Sequence, residues 1–374
     1  MEAIDRWSGT LRAKISSSSY FRVAASLCFS PSSKTLIIPS SNAIFFNGDR
    51  VQGTGDPVIG RLSDPRNIAE ILVSKLGNSV NAWVVEASDF NGPFAVYKEF
   101  IPSMNSRGEP SSYDPRGFPA STSTVSILSK CLEENESCGV IFRCTNSSST
   151  DYGGPLPCIA LPERLYISLP GASPSLHNNP RDRIGYCQAK TVIQNGREEP
   201  ASANMYRVSS AQSHHYPKTT LIGFSKGGTV LNQMLCELAH SRQEPAVSQG
   251  EGDDIFPKSK NRLLNSISDI HYVDVGLNKN GAYLTDASVI EKISEQISSH
   301  SMDKICFVLH GTPRQWCDRS RPWIRDEKDR LFELLDKEAA KSRGRLQVHE
   351  RLYFSDSSPN LQMHFQIIED LDMS

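Results

Sequence analysis

Apolar residues along this chain gather in short runs that alternate with longer amphipathic stretches. Ala43-Ile44-Phe45-Phe46 stops at Asn47-Gly48-Asp49, and Trp83-Val84-Val85 lies within a second run from Asn81 to Ala87. Further runs occupy Thr220–Phe224, Ile270–Val275, Lys304–Leu309 and Leu346–Phe354. Compact apolar runs bounded by turn residues suit strands buried on both faces. Tyr20–Cys28 and Lys34–Pro39 read as two further short strands around Pro31. Between the runs the period changes to that of a helix. Ile68, Ile71, Leu72 and Leu76 keep it over Asn67–Leu76, and Gly77 follows as a stop. Val230, Leu231, Met234, Leu235 and Leu238 line one face of Lys226–His240, and Ile290, Ile293 and Ile297 one face of Ala287–Ile297. Thr124–Leu132, Ile324–Ala340 and Leu361–Leu371 complete the expected helices. This alternation predicts an α/β fold: a mainly parallel central sheet with helices on both faces and ligands at the carboxyl ends of the strands.

Residues 137–217 interrupt the rhythm. Pro155, Pro157, Pro162, Pro170, Pro174 and Pro180 exclude a long helix or a central strand, and Ser, Gly and Asn fill the spaces. The stretch reads as an irregular, partly disordered insertion within a single domain of 18–374, placed before the nucleophile strand described below. A lid, or an extra segment of this isoform, are the other readings. Gln243–Lys260 is expected to be a polar loop.

Composition narrows the function classes. A net charge of −2 over 374 residues supplies no field to draw in nucleic acid, and no apolar run is long enough to span a bilayer. A soluble protein is expected. The nine cysteines form no C-x-x-C pair, which suits a reducing compartment. Phosphate-loop, dinucleotide-binding and zinc spacings are all missing, so no cofactor and no metal is expected. Arg6, Arg12, Lys14 and Arg22 among serines give the first residues a weakly transit-peptide-like composition, against which Glu2 and Asp5 count; a slightly basic first segment of the fold is the other reading.

Candidate chemistry centres on Gly223-Phe224-Ser225-Lys226-Gly227. Gly-x-Ser-x-Gly alone is a weak signal. Here an apolar strand leads directly into it and an amphipathic helix leaves it, which is the context of the nucleophile elbow of an α/β-hydrolase-like domain. There the serine sits on a sharp turn that lifts its hydroxyl off the sheet, and the amide of Lys226 at the helix start favours an oxyanion. A base must follow downstream. His364, after the last strand and the loop Ser355–Asn360, occupies the place where this fold delivers it. Two acids compete: Asp318, beyond the loop His310-Gly311-Thr312-Pro313, which leads, and Asp274 at the end of the preceding strand. The second oxyanion donor is expected from Asn47-Gly48-Asp49, with Gly48 as donor and Asn47 lining the pocket. His310 either lines the pocket as well or is a satisfied histidine at a strand end.

Ala43–Asp49, Gly223–Gly228, Val273–Gly276, His310–Gln315 with Asp318, and Leu361–Phe365 together resemble the family named for human chromosome 2 open reading frame 69, in particular its plant members. The resemblance covers most of 18–374 apart from about 137–200. It implies an α/β-hydrolase-like fold of poorly defined activity, carries over Ser225, Asp274, Asp318 and His364 as shared positions, and points to mitochondria, with the cytoplasm as the alternative. Two functions follow. One is a serine hydrolase that cleaves an ester, thioester or amide of a small acyl substrate. The other is a catalytically inactive hydrolase-fold protein that binds a metabolite or a protein partner.

Overall fold

The computed structural model describes residues 4–14, 20–136, 217–241, 254–299 and 304–373. The chain divides into two compact units, Met1–Ser147 with His215–Ser374, and Ser148–His214. The second unit, and with it nearly all of the expected insertion 137–217, lies outside the described residues, as does most of Gln243–Lys260.

The first unit is built from strands β1 (Asp5–Lys14), β2 (Tyr20–Ser30), β3 (Thr35–Leu36) and β4 (Ser41–Phe46), helices α1 (Pro57–Leu62) and α2 (Pro65–Leu76), β5 (Val80–Val85), a small hairpin of β6 (Asp89–Asn91) and β7 (Phe94–Val96), and α3 (Pro119–Glu136). Beyond the undescribed stretch come β8 (Lys218–Phe224), α4 (Gly228–Leu238), α5 (Lys260–Ser266), β9 (Ile267–Val273), α6 (Ala287–Ser298), β10 (Ile305–Gly311), α7 (Pro313–Trp316), α8 (Pro322–Lys341), β11 (Leu346–Leu352) and α9 (Leu361–Asp370). Sheet order is β1-β2-β5-β4-β8-β9-β10-β11, with the short β3 beside β2. β2 runs antiparallel to β1 and β5, and the pairs from β5 to β11 are parallel. Counting only the strands along this path, the order is 1-2-4-3-5-6-7-8, that of an α/β-hydrolase sheet.

The pleat explains why these runs are apolar throughout. Ile44, Phe46, Trp83, Val85 and Leu221 face one core, while Phe45, Val84, Ile222 and Phe224 face the other. The first core is closed by α3, α4, α5, α6 and α8, and the second by α1, α2 and α9. Side-chain caps set the helix starts. Asp56 accepts from Val58 and Ile59 at α1, Asp64 from Arg66 at α2, Asp286 from Ser288 at α6, and Asn360 from Met363 at α9.

Several elements depart from the sequence expectation. The weakly transit-like N-terminal segment is the edge strand β1, ahead of the boundary at 18. Arg6 fastens it: Nε donates to Ser26 Oγ at 2.9 Å, and the terminal nitrogens reach the carbonyls of Ser26, Asn78 and Val80. Its outer face is polar, so the apolar pattern of a buried strand is missing. The strand expected over Lys34–Pro39 shrinks to Thr35–Leu36. α1, α5 and the β6–β7 hairpin are too short to impose a period. Among the described residues no helix is long and apolar enough to cross a membrane.

Candidate active site

β8 ends at Phe224 with extended backbone, and Ser225 turns into the left-handed region at φ 52°. A side chain in that region is strained, and such strain collects at functional turns. A single 3₁₀ turn, Ser225–Gly227, leads into α4. The bend is packed too tightly for a side chain at Gly227, where a Cβ would stand 2.0 Å from the Phe46 carbonyl oxygen. Gly48 closes the turn from the neighbouring strand end, where a Cβ would lie 2.5 Å from Ser225 Cβ. The Asn47–Asp49 loop is therefore seated directly on the serine.

His364 lies in the first turn of α9, placed there by the Asn360 cap. Its Nδ1 bonds Asp274 Oδ2 at 2.6 Å. With Nδ1–H donating to the carboxylate, Nε2 keeps its lone pair as the basic nitrogen. The imidazole packs on Phe224, the residue before Ser225, with ring centroids 4.7 Å apart. Asp274 follows β9 at φ 45° and is fully buried. Both carboxylate oxygens are bonded: Thr312 N donates to Oδ1 at 2.7 Å and Thr312 Oγ1 to Oδ2 at 3.0 Å. Its own amide donates to the His310 carbonyl at 2.8 Å. The acid is thus fixed from two adjacent strand ends.

Asp318, the leading acid of the sequence reading, makes other contacts. Its oxygens accept from Ser320 N and Oγ at 2.9 and 2.6 Å and from Arg321 Nε at 2.8 Å. The Ser320 hydroxyl, with Arg321 behind it, pulls its carboxyl down to about 2. Among the described residues the carboxylate bonded to His364 is Asp274, and Asp318 is spent within its own turn.

The oxyanion loop also differs from expectation in one respect. Gly48 N donates to Asn47 Oδ1 at 2.9 Å, so this amide already has an acceptor, and Asn47 serves its own loop. Tyr97 holds the loop from outside, its hydroxyl donating to the Asn47 carbonyl at 2.7 Å. Lys226 contributes more than its amide. Its buried Nζ donates to the Arg107 carbonyl at 2.6 Å, pairs with Asp49 Oδ1 at 3.4 Å and sits 3.9 Å from the Phe94 ring centroid. Asp49 also accepts from Ala95 N at 2.8 Å. Burial lowers the Lys226 ammonium and raises the Asp49 carboxyl, and their mutual attraction offsets part of each shift. Sequence reasoning missed Asp49 and Thr312. A lysine inside an apolar elbow needs an acid, and Asp49 in the facing loop was the available signal.

His310 belongs to a different buried chain. Its Nε2 meets His271 Nδ1 at 2.9 Å and its Nδ1 meets the Tyr353 hydroxyl at 2.9 Å. Burial pushes His271 down to about 4, and burial with the neighbouring His271 pushes His310 to about 2, so both rings are neutral. A cavity of about 410 Å³ lies elsewhere, between Tyr113, Cys236, Asn280, Tyr283 and Glu327, and contains none of Ser225, Asp274 or His364. No cluster of metal-binding side chains occurs among the described residues.

Sheet order, elbow and histidine position define an α/β-hydrolase-like chain, with serine, aspartate and histidine in the chain order of that fold. Residues 171–341 match the family model described as C2orf69. That match takes in Ser225, Asp274 and Asp318 but not His364 or the Asn47–Asp49 loop, and it begins inside the region that the sequence resemblance left out. Human mitochondrial protein C2orf69 is 22% identical over 304 residues, covering 81% of this chain and 65% of that protein. Its mouse homologue is 28% identical over 191 residues, covering 49% and 45%. The chain thus spans less than two thirds of the curated relatives it matches. Among solved structures, the siderophore hydrolase EstA from Aspergillus nidulans covers 98% of this chain and 92% of its own, at 11% identity and a TM-score of 0.41. An IroE-like serine hydrolase from Shewanella oneidensis covers 98% and 78%, at 8% identity and a TM-score of 0.42.

Proposed function

We propose that this chain is a serine hydrolase acting on an ester, thioester or amide of a small acyl compound. Ser225 Oγ attacks the carbonyl carbon and its proton passes to His364 Nε2. Asp274 holds the ring and stabilises the imidazolium. The Lys226 amide, joined by Gly48 once Asn47 releases it, receives the developing oxyanion. Collapse breaks the bond to the leaving group, which takes the proton from Nε2, and an acyl-serine remains. Water then gives a proton to Nε2 as its oxygen bonds the acyl carbon; the bond from that carbon to Oγ breaks, Oγ takes the proton back from Nε2, and the free acid leaves Ser225 restored. Asp318 is assigned to shaping its loop. The observation that carries the reading is the 2.6 Å His364–Asp274 bond with the imidazole packed on Phe224. The names of the relatives support placing the protein in mitochondria. The test is labelling by a fluorophosphonate probe. Wild type should be labelled, and Ser225→Ala should not.

The hydrogen bond from Gly48 N to Asn47 Oδ1 favours a second reading, in which the fold binds a metabolite or protein partner without turnover. No labelling of wild type at any pH between 6 and 9 would select it.

A further inference from the structure

Arg314 stands at the edge of the candidate site with nothing to bind. It lies two residues beyond Thr312, whose amide and hydroxyl hold Asp274, so its Cα is within about 7.6 Å of the Thr312 Cα. It belongs to α7, which packs against α9, the helix that carries His364. The side chain as a whole is half-buried, but its Nε is buried without a hydrogen-bond partner, as is Oε1 of the adjoining Gln315. Among the described residues no ion pair or side-chain hydrogen bond engages the guanidinium at all. A buried guanidinium N–H without an acceptor is costly, and the natural remedy is an anion.

The surrounding carboxylates do not provide one. Asp274 already accepts three bonds from Thr312 and His364 and makes none to Arg314. Asp318, four residues on, is taken by Ser320 and Arg321. Arg321 in turn donates from Nη2 to the Arg314 carbonyl at 3.5 Å, fixing the backbone and leaving the side chain alone. Lys226, the buried cation at the elbow, is neutralised by Asp49. Burial first, and then Arg321, lower the affinity of Arg314 for its proton, and Asp274 and Asp318 offset part of this through space without bonding it.

We propose that Arg314 binds the substrate, and that the acyl compound turned over at Ser225 carries an anionic carboxylate or phosphate group. A guanidinium fork receives either group through two parallel hydrogen bonds. The inference rests on the hydrolase reading and deepens it by naming the charge of the substrate.

The test compares three 4-nitrophenyl esters on the full chain: butyrate, hemisuccinate and 3-phosphonopropionate. Wild type should prefer a charged ester to the butyrate, and the preferred one identifies carboxylate or phosphate as the group held. Arg314→Met should lower kcat/KM for that ester about a hundredfold and leave the butyrate within about threefold. Arg314→Lys should recover part of the loss. A wild type indifferent to charge, or an Arg314→Met loss equal for charged and neutral esters, overturns the proposal. If wild type takes neither fluorophosphonate nor any ester, the hydrolase reading has failed by itself. Arg314 is then judged by thermal shift with succinate and with inorganic phosphate. A rise in wild type that Arg314→Met loses supports the anion site, and no rise in wild type refutes it.

Discussion

Phe224 and His364 lie ring against ring, with planes 31° apart, so the residue before Ser225 is also the floor on which the imidazole rests. Phe224 is buried and packs in turn on Phe45 and Phe365. One aromatic side chain thereby joins the end of β8, the end of β4 and the start of α9.

The two acids can be separated by substitution. Asp274→Asn removes the acceptor that fixes the tautomer of His364 and should slow fluorophosphonate labelling of Ser225 about 10³–10⁴-fold. Asp318→Asn breaks only a turn with Ser320 and Arg321 and should leave labelling within about threefold. The reverse order of effects would return the role of acid to Asp318.

Gly48→Ala would force its Cβ against that of Ser225 at 2.5 Å. The loop or the serine must shift by about an ångström, which should cost 10²-fold or so in labelling rate and about 1–3 kcal/mol in stability. Urea unfolding read beside the labelling assay checks both. A variant of normal stability and normal rate would mean that the loop does not rest on the serine.

Lys226→Met should destabilise the fold by about 3 kcal/mol, the low end for a broken buried pair because Asp49 keeps some contact with water. Adding Asp49→Leu should restore part of the loss, since the stranded carboxylate goes with it. A double variant less stable than the single one by the full cost of Asp49→Leu alone would show that the two residues are not coupled.

His271 and His310 predict a specific acid sensitivity. Both are depressed in the folded protein, to about 4 and about 2, below the unfolded value near 6.5. The folded state therefore holds fewer protons than the unfolded state. The stability from these neutral rings is complete above about pH 6.5 and is lost as pH falls toward 4 and below. Between pH 7.5 and 5.0 each should withdraw about 2 kcal/mol. Urea midpoints at pH 7.5 and 5.0 measure the loss, and His310→Gln should reduce it. A midpoint that does not move between these pH values would contradict the neutral pair.

The central fold was legible because its strands are buried on both faces and read as unbroken apolar runs. β1 was not, because an edge strand with one polar face has no such run, and its two arginines and lysine read equally as a basic leading segment. At the candidate site the elbow was legible from strand, glycine and helix in succession, and the place of His364 from the final strand and the helix after it. The acid was not. Asp318 and Asp274 both follow strands, and only the bonds from Thr312 and His364 on one side, and from Ser320 and Arg321 on the other, tell them apart. Asp318-Arg319-Ser320-Arg321 did carry a local warning, since an aspartate followed by serine and arginine at this spacing tends to fold back on its own turn.

α9 sits at the far end of the described chain, tied down by Arg61 to Glu369 and by Lys75 to the Leu371 carbonyl. The nucleophile and both carboxylates precede it by dozens of residues. A chain still emerging from the ribosome can therefore build its sheet and its serine turn while its base is unmade. Every product that stops before residue 361 would be a serine turn without a proton acceptor. Competence for the proposed reaction would arrive only with α9, and all at once.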